Sequence, residues 1–161
     1  MNGSASADGM QLQPTPPRRL AELPSWLLSR AAGLGARVVG EALAAHGMRR
    51  HHFSVLHSLS ESGSVSQAEL GRRLAIDRSD LHALLSELEA DELIVRTPDE
   101  RDRRRNAVSI TPRGQTRLAD LDRAVDEAQR ELLAPLDDRQ QSELRSLLSL
   151  LLGDSIGASE S

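Results

Sequence analysis

Along this chain Leu20, Leu23, Leu27, Ala31, Leu34, Val38 and Ala42 fall three or four residues apart, the spacing of one helical face that ends near His46-Gly47. A second helix is predicted over residues 49–62, with Phe53, Leu56 and Leu59 inward and Gly63 as its stop. In Ser66-Gln67-Ala68-Glu69 the Ser66 hydroxyl can cap a short helix running to Leu74, while Glu69 reaches back to the Ser66 amide. Ile76-Asp77 makes a turn, and Asp77 caps the next helix, from Arg78 to about Asp91. On it Leu81, Leu84, Leu85 and Leu88 form the inward face, which leaves Ser79, His82, Ala83 and Ser86 outward.

Periodicity then changes. Leu93-Ile94-Val95-Arg96, closed by Pro98, and the alternating Ala107-Val108-Ser109-Ile110-Thr111 read as two strands of a hairpin. Its tip, Asp99-Glu100-Arg101-Asp102-Arg103-Arg104-Arg105, is too charged for a core. Thr111-Pro112 restarts a helix, with Thr as cap and Pro at its first position, lined by Leu118, Leu121, Val125, Ala128 and Leu132. Pro135 breaks it. Asp137 caps a last helix with Leu144, Leu147, Leu148 and Leu151 on its apolar face, before Gly153 and a polar tail. Five buried leucines are worth about 10 kcal/mol, comparable with the stability of a whole domain. The central lobe is too small to cover the terminal helices, so a homodimer built from them is expected, the alternative being a monomer that folds its own ends together.

The fold expected is therefore mainly α with a small β-hairpin wing. It comprises a disordered tail at 1–19, an N-terminal dimerisation helix at 20–48, a winged helix-turn-helix lobe at 49–111, C-terminal dimerisation helices at 112–153 and a flexible tail at 154–161.

Composition narrows the function. The 161 residues contain no Cys, which excludes disulfides, thiolate metal sites and cysteine nucleophiles. All 20 basic residues are Arg, against 24 acidic ones, and the pI is near 5.7. No global positive field marks a nucleic-acid partner, so any DNA contact must come from local clusters. No apolar run spans a bilayer and no signal-peptide layout opens the chain, so a cytoplasmic protein with no membrane partner is expected. No nucleophile–base pair, phosphate loop or metal-ligand set argues for an enzyme, and Asp102 beside three arginines would be a poor base.

A helix with small, hydrogen-bonding outward residues at its N-terminal end suits the major groove, and its terminal amides suit phosphate. Helix-turn-helix, arginine-tipped hairpin and dimerising helix come here in that order. At this point the chain resembles the MarR family of bacterial transcriptional regulators. The matching residues are Ser66-Gln67-Ala68-Glu69-Leu70-Gly71-Arg72-Arg73-Leu74, Ile76-Asp77-Arg78-Ser79, Leu88-Glu89 and Leu93-Ile94-Val95-Arg96. Most specific is Asp99-x-Arg101-Asp102-Arg103-Arg104 running to Val108-Ser109-Ile110-Thr111-Pro112-Arg113-Gly114.

The resemblance spans about residues 20–152 and implies a dimeric regulator, expected to be a repressor, on a palindromic operator in double-stranded DNA. It implies that Asp102 orients Arg104 in the minor groove, with Arg103 beside it. Arg101 and Arg105 are assigned to phosphates or to pairs with Asp99 and Glu100. Ser66 and Gln67 are phosphate candidates, and Arg78, Ser79, Asp80, His82 and Ser86 form the reading end of the recognition helix. Three positions depart from the family pattern: Asp80 stands where Thr is usual, Ala83 where Arg is frequent, and Glu92 where Gly usually precedes the wing strand. Asp80 repels DNA unless it accepts from a cytosine amine or caps its helix beside Arg78.

The resemblance further implies a small aromatic or anionic effector, with Trp26, Arg30, His52 and His57 as candidates for its crevice; the competing reading is structural, since Trp26 sits in the apolar first helix and His52 beside Phe53. No cofactor is expected. His46, His51, His52 and His57 contain no pair at the i, i+4 ligand spacing, so no metal site is expected either. The competing reading is a winged-helix module that docks proteins without binding DNA, favoured by the acidic balance and Asp80.

Overall fold

The computed structural model describes residues 16–98 and 106–153. The wing-tip residues Arg101, Asp102, Arg103, Arg104 and Arg105, most of the 1–19 tail and the 154–161 tail lie outside the described residues. The chain divides into two compact units, one up to Gly35 and one from Ala36 onward.

The sequence predicts one helix from residue 20, but two are found: α1, Arg18–Ala21, and α2, Pro24–Ala44. Pro24 is the cause. It has no N–H to donate, and its ring disfavours helical backbone at Leu23, so it begins a new helix rather than continuing the old one. α1 also starts inside the segment expected to be disordered. Leu27 and Leu34 on this stretch are half exposed. α2 is followed by a turn at Gly47, whose φ of +68° is a left-handed conformation that favours glycine.

From Ala36 onward the order is α3 Arg50–Ser62, β1 Val65–Ser66, α4 Gln67–Leu74, α5 Arg78–Ala90, β2 Ile94–Pro98, β3 Asn106–Ile110, α6 Pro112–Leu133 and α7 Asp138–Leu152. The expected hairpin is part of a three-stranded antiparallel sheet in the order β1-β3-β2. β1 pairs Val65 with Val108, and β2 pairs Ile94 with Ile110 and Arg96 with Val108. Two residues of β1 are too few to show alternation in the sequence. Pro98, which cannot donate to a ladder, sits on the edge strand.

One apolar core joins these elements, α7 excepted. Leu43 and Met48 meet Val55, Leu56 and Leu59 of α3, Leu70 of α4, the α5 leucines Leu81, Leu85 and Leu88, Ile94 and Val108 of the sheet, and Leu118 and Leu121 of α6. Phe53, expected inward, is only partly buried, while Val55 and His52 are buried. The stripe on α6 that was expected to face a partner is, over Leu118 and Leu121, covered by the chain's own core. By contrast α7 has no buried residue, and Leu147 is 57% and Leu151 65% exposed.

Between α5 and β2 the backbone turns at Glu92, with φ +61°. A non-glycine residue there is strained, and its bonds hold it. The Glu92 carbonyl accepts from Thr111 Oγ1 at 2.7 Å, and its carboxylate pairs with Arg113 at 3.1 Å. Gly114 follows on α6, where a Cβ would lie 2.1 Å from the Leu93 carbonyl oxygen. Any side chain at 114 would push α6 off the strand.

Candidate nucleic-acid interface

The start of α4 is set by Ser66, whose Oγ accepts from the Glu69 amide at 3.2 Å. The reciprocal half of the expected cap is not formed. Glu69 instead pairs with Arg72 and, at 2.7 Å, with Arg73, one turn further along α4. Three and four residues are the spacings at which helical side chains meet, so the arginines capture the carboxylate. The Arg73 hydrogen bond holds the Glu69 carboxyl below its usual range.

α4 ends at Ala75, whose φ of +51° reverses the chain into the turn. Gly71 allows the close approach, since a Cβ there would meet the Ile76 carbonyl oxygen at 3.3 Å. Asp77 then caps α5, its Oδ1 accepting from the Ser79 amide at 2.8 Å. Hydrogen bonds from the Ser79 hydroxyl and amide keep the Asp77 carboxyl low, so the cap is charged. This leaves no capping role for Asp80, which stands exposed in the first turn.

The four inward leucines of α5 are buried as expected, and Arg78, Ser79, His82 and Ala83 are exposed. Arg78 and His82 line an open concavity with Ser66, Gln67 and Arg72. Two helix N-termini, two arginines, an imidazole and the Asp77 carboxylate thus share one concavity, whose lining also includes Ala68, Ala75, Ile76 and Leu81. Ser86 is half-buried; its Oγ donates to the His82 carbonyl at 2.9 Å and accepts from Arg96 at 3.3 Å.

The opposite end of α5 is tied down by its carboxylates. Glu89 accepts from Arg96 Nε at 2.9 Å, while Glu87 binds Arg49 and lies 2.9 Å from His52 Nε2. These guanidiniums hold both carboxyls below their usual range. His52 Nδ1 accepts from the Arg49 amide at 3.2 Å, which requires the neutral ring with its proton on Nε2. Burial, and then Arg49, lowers the pKa of His52 against the opposing pull of Glu87 and Asp91.

The other effector candidates are engaged within their own helices or with a neighbour. His57 Nε2 lies 2.7 Å from Asp122 Oδ1, and its ring meets Phe53 edge-on at 4.6 Å. The Arg30 guanidinium lies 5.3 Å from the Trp26 ring centroid.

Residues 46–105 match the sequence profile of the MarR family. The chain is 32% identical to the crystal structure of a probable transcriptional regulator from Pseudomonas aeruginosa, covering 83% of this chain and 99% of that one with a TM-score of 0.72. The chain belongs to the MarR family. It is 31% identical over 99 residues to a protein of Thauera aromatica named as a putative transcriptional regulatory protein for the hcr operon; the match covers 62% of this chain and 60% of that protein. Its fold is shared by a mutant of MarR from E. coli crystallised in complex with operator DNA, at 22% identity, a TM-score of 0.70, and coverage of 85% of this chain and 99% of that one.

A MarR-family chain is a transcriptional regulator, not an enzyme. Two arginines not singled out from the sequence as site residues are brought to this region: Arg72 lines the concavity, and Arg96 bonds Ser86 and Glu89 of α5. Arg72 carried a signal, since it follows an acidic residue at helical pairing distance. Arg96 carried a fainter one, a charge on the same strand face as the buried Ile94. Among the described residues no helix is long and apolar enough to cross a membrane.

Proposed function

We propose that this chain is a homodimeric repressor that binds a palindromic operator in double-stranded DNA. The observation that carries this reading is the exposed N-terminal end of α5, which shares one open concavity with the start of α4. There Arg78, Ser79 and His82 meet bases and Ser66, Gln67 and Arg72 meet phosphates; the helix-terminal amides add to the attraction for anions. The wing-tip arginines, Arg104 above all with Asp102 orienting it, enter the minor groove. Residues 49–111 form the DNA-binding lobe.

The exposed leucines of residues 20–48 and 112–153 supply the dimer contact, because apolar faces of this extent are seldom left in water. Two reading helices related by a two-fold axis then require half-sites about 10 bp apart or a multiple of that spacing. A small aromatic or anionic effector that prefers one spacing of those helices would shift operator affinity.

The test is selection of bound fragments from a random DNA pool, followed by titration of the best fragment. Arg104→Ala should weaken binding by about tenfold or more, the range of a lost groove contact. Arg139→Ala, on the exposed start of α7, should weaken it far less. Asp80, exposed at the reading end, favours the second reading, a protein-docking module. That reading gains if the pool yields no enriched sequence.

A further inference from the structure

Arg96 lies two residues beyond Ile94 on β2, so both side chains leave the same strand face. Ile94 is buried in the core, and Arg96 borders it with its side chain only 17% exposed. From there its guanidinium crosses to α5. Nε donates to Glu89 Oε2 at 2.9 Å, and one terminal nitrogen bonds both that oxygen and Ser86 Oγ. Ser86 and Glu89 are three residues apart and so lie one above the other on the helix. The Ser86 hydroxyl spends its proton on the His82 carbonyl, which links Arg96 to the turn of α5 that carries His82.

We propose that Arg96 is a positioning residue for DNA recognition: gripping Ser86 and Glu89, it fixes strand β2 against α5, so that wing and recognition helix address one duplex in a single relative pose. Ser86 is then part of this clamp rather than a base-reading group. A planar guanidinium is suited to the task, because its fixed fork of donors holds two acceptors at once where an ammonium would swivel. The inference rests on the DNA-binding reading above.

The experiment uses the full-length chain and the fragment recovered from the random pool. Native protein, Arg96→Met, Glu89→Gln and the double variant are titrated with that fragment and with unrelated duplex, and thermal unfolding is followed in parallel. Removing a carboxylate from a protein that binds a polyanion should by charge alone strengthen binding. The clamp predicts the reverse: Glu89→Gln and Arg96→Met each weaken specific binding about tenfold, and the double variant is no weaker than either, since one interaction is lost in all three. Affinity for unrelated duplex is expected to change little.

Unchanged or tighter specific binding by folded Glu89→Gln would overturn the proposal, as would a fall in unfolding temperature with native affinity. Glu89→Gln decides alone if Arg96→Met does not fold. Native protein that binds no fragment defeats the DNA reading together with the clamp; native binding that Glu89→Gln does not alter defeats the clamp alone.

Discussion

His52 shows how a single residue gains its character from contacts distant in sequence. Its neutral ring accepts from the Arg49 amide and faces Glu87 across two helices. Burial and Arg49 hold its pKa below the ordinary 6.5. The unfolded chain therefore takes up a proton near 6.5 while the folded chain does so only at lower pH, and stability falls as pH drops below that value. Urea unfolding midpoints on either side of pH 6.5 should show this decline in the native protein and a smaller one in His52→Gln; equal declines would remove His52 as the cause. In the sequence His52 is a candidate for an effector crevice whose place beside Phe53 points to a structural role, but nothing local announces a partner 35 residues away. Asp77 was legible for the opposite reason: a cap needs only the residues that follow it. Glu92 was legible only as a departure from the family pattern, and its positive φ explains why glycine suits that turn.

At the scale of elements, helices with a strong apolar stripe were readable to within a residue or two, as α5 and α6 show. Errors fell where a local rule outweighed periodicity, at Pro24, or where an element was too short to have a period, at β1. The turn between α4 and α5 offers a test of the local physics. Ala75 holds a left-handed conformation at φ +51° with its side chain exposed. That conformation costs a residue with a Cβ about 1–2 kcal/mol, and glycine recovers it less its own extra chain entropy of about 0.5–1 kcal/mol. Ala75→Gly should thus raise unfolding stability by about 0.5–1 kcal/mol in urea titrations. A loss of stability would mean that the methyl group makes a contact worth more than the strain.

For the whole molecule, the division between covered and uncovered apolar surface was only partly legible. Spacing marks a stripe but not what covers it, and α6 spends Leu118 and Leu121 on its own chain whereas α7 leaves Leu147 and Leu151 in the open. The proposed dimer uses that open face, so Leu147→Glu with Leu151→Glu should halve the mass seen by sedimentation and weaken operator binding with it. Retention of the native mass would place the interface elsewhere. An acidic chain with pI near 5.7 must bind DNA through local clusters that reach phosphates. The most direct measurement is therefore the affinity of the native protein for its selected fragment across a salt series. Log affinity should fall linearly with log salt, by about 0.9 for each phosphate neutralised. A flat response, or no binding at the lowest salt, would contradict the account.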